Sequence, residues 1–240
     1  MLDIVRVPVL SDNYAWLLHD HEAARTVALD PGEAAPLLEA AAARGWTIAD
    51  VWLTHWHGDH VGGAAAIRDA HGARVIGPEA ERAKIAALGD GLAEGDRVAI
   101  GAHHADVWHV PGHTAGHIAF HFAADRAIFT GDTLFAMGCG RLFEGTPAEM
   151  FANMRRYADL DDATRVYCGH EYTLSNGRFA LTVEPDNEAL VARMAEVERL
   201  RAADAPTVPT TIGAERATNP FLRAPDVDTF AQRRLLKDRG

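Results

Sequence analysis

Thr54-His55-Trp56-His57-Gly58-Asp59-His60 follows directly on the apolar run Val51-Trp52-Leu53. The run reads as a buried strand, and the stretch after it as the polar turn where that strand ends. His55 and His57 are two apart, so in an extended segment their imidazoles project from one face and converge on one cation. Asp59 and His60 come after the flexible Gly58, and Val61-Gly62-Gly63-Ala64-Ala65-Ala66-Ile67 reads as the start of a helix. A change of direction there aims the second pair at a second cation about 3.5 Å from the first, the spacing of two-metal hydrolases. The competing reading is a His-rich surface turn. Ligation is favoured because imidazoles and a carboxylate gathered behind a buried strand are a metal-binding arrangement.

The same layout recurs along the chain. Apolar strands are expected at Val51-Trp52-Leu53, Val107-Trp108-His109-Val110, Ile128-Phe129-Thr130 and Val166-Tyr167-Cys168, each followed closely by His or Asp. In layered α/β structures reactive groups gather where strand ends open into loops, so His113, Asp132 and His170 join His55, His57, Asp59 and His60 as candidate ligands. Between them the pattern predicts further strands near 2–10, 14–18, 26–29, 73–76, 96–100 and 118–122, and helices over 34–44, 62–71, 79–88 and 147–160. No strand-rich segment follows about residue 170. Glu188 to Ala203 and Phe230 to Lys237 carry helical patterns, which predicts a small C-terminal helical appendage.

With 240 residues, 48% hydrophobic and 24% charged, the composition is that of a globular protein with a sizeable core. No continuous apolar run reaches the roughly 18–20 residues a membrane span needs, and the start of the chain lacks a basic region followed by an apolar one. A cytoplasmic protein without membrane attachment is expected. Two cysteines, Cys139 and Cys168, exclude a disulfide framework and, without C-x-x-C spacing, read as small buried residues. The net charge of −11 argues against nucleic-acid binding and requires an anionic substrate to be held by local basic residues.

Five neutral imidazoles and two carboxylates suit zinc, or iron or manganese, better than calcium or magnesium. Seven ligands are too many for one tetrahedral ion and suit two divalent ions. One ion takes His55, His57 and His113, the other Asp59, His60 and His170, and Asp132 bridges them. Water held between such ions, its pKa lowered to about 7, becomes a hydroxide nucleophile, which predicts hydrolysis of an activated carbonyl or phosphoryl group. Asp59 and Asp132 are then the catalytic carboxylates. His117, four residues after His113, is a candidate to support that turn by hydrogen bonding. The remaining histidines lack the strand-end context.

The pattern His55-Trp56-His57-Gly58-Asp59-His60, with His113, Asp132 and His170, resembles the metallo-β-lactamase superfamily. Pro111-Gly112-His113-Thr114-Ala115-Gly116-His117, Gly138-Cys139-Gly140-Arg141, Tyr167-Cys168-Gly169-His170-Glu171-Tyr172-Thr173 and Asn219-Pro220-Phe221-Leu222-Arg223 resemble one branch, the glyoxalase II or hydroxyacylglutathione hydrolase family. The resemblance implies a four-layer αββα sandwich over residues 1–170 and a helical glutathione-binding domain over 171–240. It implies hydrolysis of S-D-lactoylglutathione to D-lactate and glutathione, a step of methylglyoxal detoxification, by a monomer. Arg141, Tyr172 and Arg223 take the positions of the family's glutathione contacts, and arginine forks match carboxylates bidentately. Phe143 stands where a tyrosine hydroxyl often helps, and Ala224-Pro225-Asp226 lacks a lysine found in some members; the basic end with Arg233, Arg234 and Lys237 offers compensation. The alternative within the superfamily is a mononuclear iron glutathione-persulfide dioxygenase, whose members lack an equivalent helical tail. A non-enzymatic metal-binding module is disfavoured by the complete ligand set.

Overall fold

The computed structural model describes residues 2–239, and their contacts divide the chain into two compact units. The first unit runs up to His109 and adds Ala115–Gly131; the second holds Val110–Thr114 and the chain from Asp132 onward.

The first unit contains, in order, β1 (Leu2–Val9), β2 (Asn13–Asp20), β3 (Arg25–Leu29), α1 (Ala35–Ala42), β4 (Ile48–Trp52), α2 (Gly58–Val61), α3 (Ala64–His71), β5 (Arg74–Pro78), β6 (Asp90–Leu92), β7 (Arg97–Ile100), β8 (His103–His109), β9 (Ile118–Phe122) and β10 (Ala127–Gly131). One sheet has the order β1-β2-β3-β4-β5-β6, antiparallel through β3 and parallel beyond it. The strands β7 to β10 pair antiparallel in sequence order. Parallel strands need crossover connections; α1 supplies the one between β3 and β4, and α3 the one between β4 and β5. Leu37 and Ala41 of α1 and Ala64 and Ile67 of α3 bury against Leu17, Ala28, Val51 and Val75 on one face of the first sheet. Side chains that alternate with these point the other way: Trp52 packs on Phe120 and Phe122 at 5.0 and 6.1 Å between ring centroids, and Trp16 on Phe129 at 6.3 Å. The unit is thus a helical layer on a sheet, with a second sheet on the other face. Asp50 is the polar exception in β4: buried, it is held by the guanidinium groups of Arg25 and Arg74.

The second unit contains β11 (Leu134–Phe135), β12 (Gly138–Cys139), α4 (Pro147–Ala158), β13 (Arg165–Cys168), α5 (Thr173–Val183), α6 (Glu188–Ala202), β14 (Thr210–Thr211), α7 (Ile212–Thr218) and α8 (Val227–Arg239). A capping box closes the start of α4: Thr146 Oγ1 accepts from the Glu149 amide, and the Glu149 carboxylate accepts from the Thr146 amide. Met137, Ala180, Leu190, Met194 and Val197 form the apolar centre where α5 meets α6. Gly177 sits in the interior of α5 because a Cβ there would stand 2.5 Å from Met194 Sδ. No helix among the described residues is long and apolar enough to cross a membrane.

The expected helix over 79–88 does not form. A 3₁₀ turn, Glu79–Glu81, is followed by turns in which Arg82 donates to the Gly89 carbonyl, and the chain then pairs as β6 beside β5. The helices α5 and α7 lie where the sequence pattern predicted none, while the last helix is longer than its predicted core at 230–237.

Tertiary packing in the second unit turns on Glu215, fully buried in α7. Its carboxylate accepts from Arg193 Nη2 (2.7 Å), Thr210 Oγ1 (2.7 Å), the Met137 amide (2.8 Å) and Asn219 Nδ2 (2.9 Å). Breaking a buried pair by removing one partner strands the other charge. Glu215→Ala is therefore expected to cost about 3–5 kcal/mol, seen as a lower urea midpoint at unchanged slope.

Candidate metal centre

In the first unit the ligand turn grows out of two neighbouring parallel strands. The Asp30 amide, one residue past β3, donates to the Trp52 carbonyl (3.0 Å) and sets the end of β3 beside the end of β4. The Asp30 side chain, 2% exposed, then accepts from the Thr54 amide (2.8 Å), Thr54 Oγ1 (2.7 Å) and His60 Nδ1 (3.1 Å). A carboxylate can only accept, so His60 carries its proton on Nδ1 and presents the Nε2 lone pair. The single Thr54 hydroxyl proton is committed to Asp30. Its oxygen therefore accepts from His55 Nδ1 (3.0 Å), which leaves His55 Nε2 as a lone pair too.

His55 Nε2 lies 3.1 Å from His57 Nδ1, and His60 Nε2 lies 3.5 Å from Asp59 Oδ2. Two nitrogens bound to one tetrahedral zinc at 2.0–2.1 Å are about 3.3 Å apart, so both pairs have the spacing of edges of a coordination shell. Asn13 Nδ2 donates to Asp59 Oδ2 at 2.9 Å and steadies that carboxylate. The His117 ring stacks on His55 at 4.6 Å. Ligand atoms of Asp30, His55 and His60 lie within 4.8 Å of one another, but the three donors converging on Asp30 make it the group that orients His60 rather than a ligand.

The second unit holds the other three predicted ligands together. His113 Nδ1 donates to the Arg141 carbonyl (2.8 Å), which leaves Nε2 as the lone-pair atom, 3.4 Å from Asp132 Oδ2. His170 Nε2 lies 3.2 Å from the same Asp132 oxygen. One carboxylate oxygen at coordination-edge distance from two imidazole nitrogens suits a bridging role. All three side chains are buried. Asp132 follows β10 through Gly131, whose φ of +47° and whose missing Cβ, which would stand 2.5 Å from Thr54 Oγ1, leave room only for glycine. Buried imidazoles with defined lone pairs and carboxylates beside them fit divalent metal in both units.

Among the expected substrate contacts, three attach to these ligands. The Arg141 carbonyl holds His113, the exposed Phe143 ring packs edge-on against His113 (5.3 Å), and Tyr172 stacks on His170 at 4.5 Å with 7° between planes. Arg223 is engaged elsewhere in the second unit, donating to Glu184 (2.8 Å) and to the Arg216 carbonyl (3.1 Å). Other histidines serve the scaffold: His71 Nδ1 accepts from the Ile48 amide, and His103 pairs with Asp125. Burial pushes the Cys139 thiol up to about 11 and the Cys168 thiol up to about 12, so neither is a thiolate.

Asp30 is not among the residues that the sequence pattern singles out. The signal was present: an aspartate at a strand end, beside the strand that carries the ligands. Asn13, which holds Asp59, is likewise absent from that pattern.

A family model for the metallo-β-lactamase superfamily matches residues 13–170, and one described as the hydroxyacylglutathione hydrolase C-terminus matches residues 171–239. A hydroxyacylglutathione hydrolase of Ruegeria pomeroyi is 52% identical over 94% of this chain and 88% of its own length. One of Cereibacter sphaeroides is 48% identical over 99% of this chain and 98% of its own. Among solved structures, ETHE1 from Myxococcus xanthus superposes with a TM-score of 0.72 at 23% identity, covering 98% of this chain and 90% of that one. The di-iron-bound form of TTHA1623 gives 0.64 at 28% identity, covering 91% and 99%. The chain has the metallo-β-lactamase fold followed by a C-terminal helical region.

Asp30→Asn keeps the shape and tolerates the observed φ of 50° but removes the charge that holds His60 and Thr54. Its metal affinity is expected to fall by about 10–100-fold with secondary structure intact, measured by competition with a chromophoric chelator beside circular dichroism.

Proposed function

The chain belongs to the hydroxyacylglutathione hydrolase family of the metallo-β-lactamase superfamily, and on that premise we propose that it hydrolyses S-D-lactoylglutathione and related 2-hydroxyacyl thioesters to the hydroxy acid and glutathione. The observation that carries the reading is Asp132 Oδ2, placed at 3.4 and 3.2 Å from the Nε2 atoms of His113 and His170. In this reading His55, His57 and His113 hold one divalent ion, Asp59, His60 and His170 hold a second, and Asp132 serves both. Zinc suits the donor set best, with iron or manganese as substitutes. When bound, such a pair polarises a carbonyl and lowers the pKa of water to about 7.

The protein's own groups do the rest. Asp30, the Thr54 hydroxyl and the Arg141 carbonyl hold three imidazoles in the tautomer that turns Nε2 inward. Asp59, its side chain 38% exposed, is the reachable carboxylate and takes the proton released as water attacks the thioester carbonyl. The departing thiol, with an ordinary pKa of about 8.5, leaves as thiolate without a strong acid. Arg141 and Arg223 receive the two carboxylates of the glutathione moiety. Tyr172 adds a hydroxyl, and Phe143 an apolar surface. Residues 1–170 carry the chemistry and, through Arg141 and Phe143, part of the thiol recognition, to which 171–240 add the rest, in a cytoplasmic monomer.

The test is an assay of purified protein on S-D-lactoylglutathione beside glutathione persulfide, with metal measured on the same sample. Thioester turnover with two ions per chain is expected; turnover of the persulfide alone with one iron overturns the assignment. Asp132→Ala should lose metal and drop kcat/KM by at least about a hundredfold, since a metal's charge stabilisation is worth several kcal/mol. Retention of two ions in that variant removes the bridge.

A further inference from the structure

Both arginines that receive the substrate's carboxylates are already held by an acid of the second unit. Asp238, near the end of α8, accepts from Arg141 Nε through Oδ1 at 3.1 Å. The same oxygen accepts from Arg234 Nε (3.1 Å) and Nη2 (2.8 Å). Glu184, the residue that closes α5, accepts from Arg223 Nε at 2.8 Å through one oxygen and faces Arg233 Nη1 at 3.1 Å through the other. Each receptor is therefore one arm of an arginine–acid–arginine triad with a net charge of +1.

The second arms are consecutive residues of one helix, anchored to the segments that carry the receptors. Arg234 Nη1 donates to the Cys139 carbonyl (2.7 Å), two residues before Arg141, and its guanidinium lies 5.2 Å from the centre of the Phe221 ring. Arg233 Nη1 donates to the Pro220 carbonyl, three residues before Arg223. The two receptors are half exposed, at 52% and 40%, whereas Arg233 and Arg234 are at 16% and 8%. Among the described residues, Arg141 Nη1 and Arg223 Nη2 have no protein acceptor, so each receptor keeps a free N–H edge.

Without its second arginine each receptor would form a neutral pair, and an incoming carboxylate would meet the acid as well as the guanidinium. The hollow beside Arg223 is also lined by Asp186 and Glu188, which add negative charge on that side. The geometry points to Arg233 and Arg234 as positioning residues that set substrate specificity: they neutralise Glu184 and Asp238, so that Arg223 and Arg141 stay both fixed and positively charged toward a thiol moiety with two carboxylates. The inference rests on the thioester hydrolase reading above. It also gives the basic end of the chain a definite role, exerted through the receptors and not by touching substrate.

The test compares two thioesters with the same acyl group, S-D-lactoylglutathione and the uncharged S-D-lactoyl-N-acetylcysteamine, on the metal-loaded full chain. Arg233→Gln and Arg234→Gln are each expected to raise KM for the glutathione thioester about tenfold, with kcat and metal content kept and kcat/KM on the neutral thioester unchanged. Removing the uncovered acid restores the balance, so Arg233→Gln with Glu184→Gln, and Arg234→Gln with Asp238→Asn, should return KM to within about threefold of the parent. Equal losses on both thioesters, an unchanged KM, or no recovery in the doubles overturns the inference. Should Arg234→Gln fail to fold, the Arg233 pair carries the test alone. A parent protein that cleaves neither thioester defeats the functional reading itself, whereas an active parent with indifferent variants defeats only the charge balance.

Discussion

The carboxylate of Asp30 is the constraint from which the ligand turn follows. An ionised group buried to this degree is tolerated only where donors replace the water it has lost. Asp30 finds them in the Thr54 amide, the Thr54 hydroxyl and the His60 ring. Those three bonds tie the end of β3 to the turn beyond β4 and assign tautomers to His55 and His60. The register of a parallel sheet is thereby converted into the direction of two nitrogen lone pairs. Hydrophobic packing places the strands: Val51 seats on the helical side, and Trp52 against Phe120 and Phe122. It is a hydrogen bond to a buried charge that turns a placed strand into a chemical site.

The second unit orients its candidate ligands through other groups. A backbone carbonyl, that of Arg141, fixes the His113 tautomer, and a stacked phenol ring, Tyr172, lies against His170. Both supports belong to residues proposed above as substrate contacts. In the proposed reading, a substrate that moves Arg141 or Tyr172 also bears on a candidate ligand, His113 or His170.

The seven candidate ligands stand out in the sequence because each lies within a few residues of a hydrophobic strand, and strand periodicity is a strong local signal. The helical layer on a sheet was legible for the same reason, from Ala- and Leu-rich crossovers such as 34–44. Features that depend on partners distant in the chain were not. The segment 79–88 has helical composition, yet tertiary pairing of β6 with β5 and bonding of Arg82 to Gly89 win over its propensity. The helix α5 contains Gly177, a poor helix former, at a point where the Met194 and Met137 side chains approach closely. Asp30 was visible as a residue but not as a role, because nothing in the numbering brings position 30 beside 54 and 60.

The charge of the whole chain and the charge at the proposed receptors, Arg141 and Arg223, point in opposite directions, and distance decides between them. A net −11 repels an anionic thioester only through charges that the solvent leaves unscreened, and at physiological salt interactions between exposed charges fade beyond about 8 Å. At bonding distance from Arg141 the acid is Asp238, itself shared with Arg234; at bonding distance from Arg223 it is Glu184, shared with Arg233. An acidic surface can thus coexist with recognition of a dicarboxylate, provided the positive excess is built in at that range. Acids also have a use at these points, since a lone exposed arginine samples many rotamers and would lose that freedom on binding. Pairing each receptor with an acid reduces that loss, and pairing the acid with a second arginine keeps the charge.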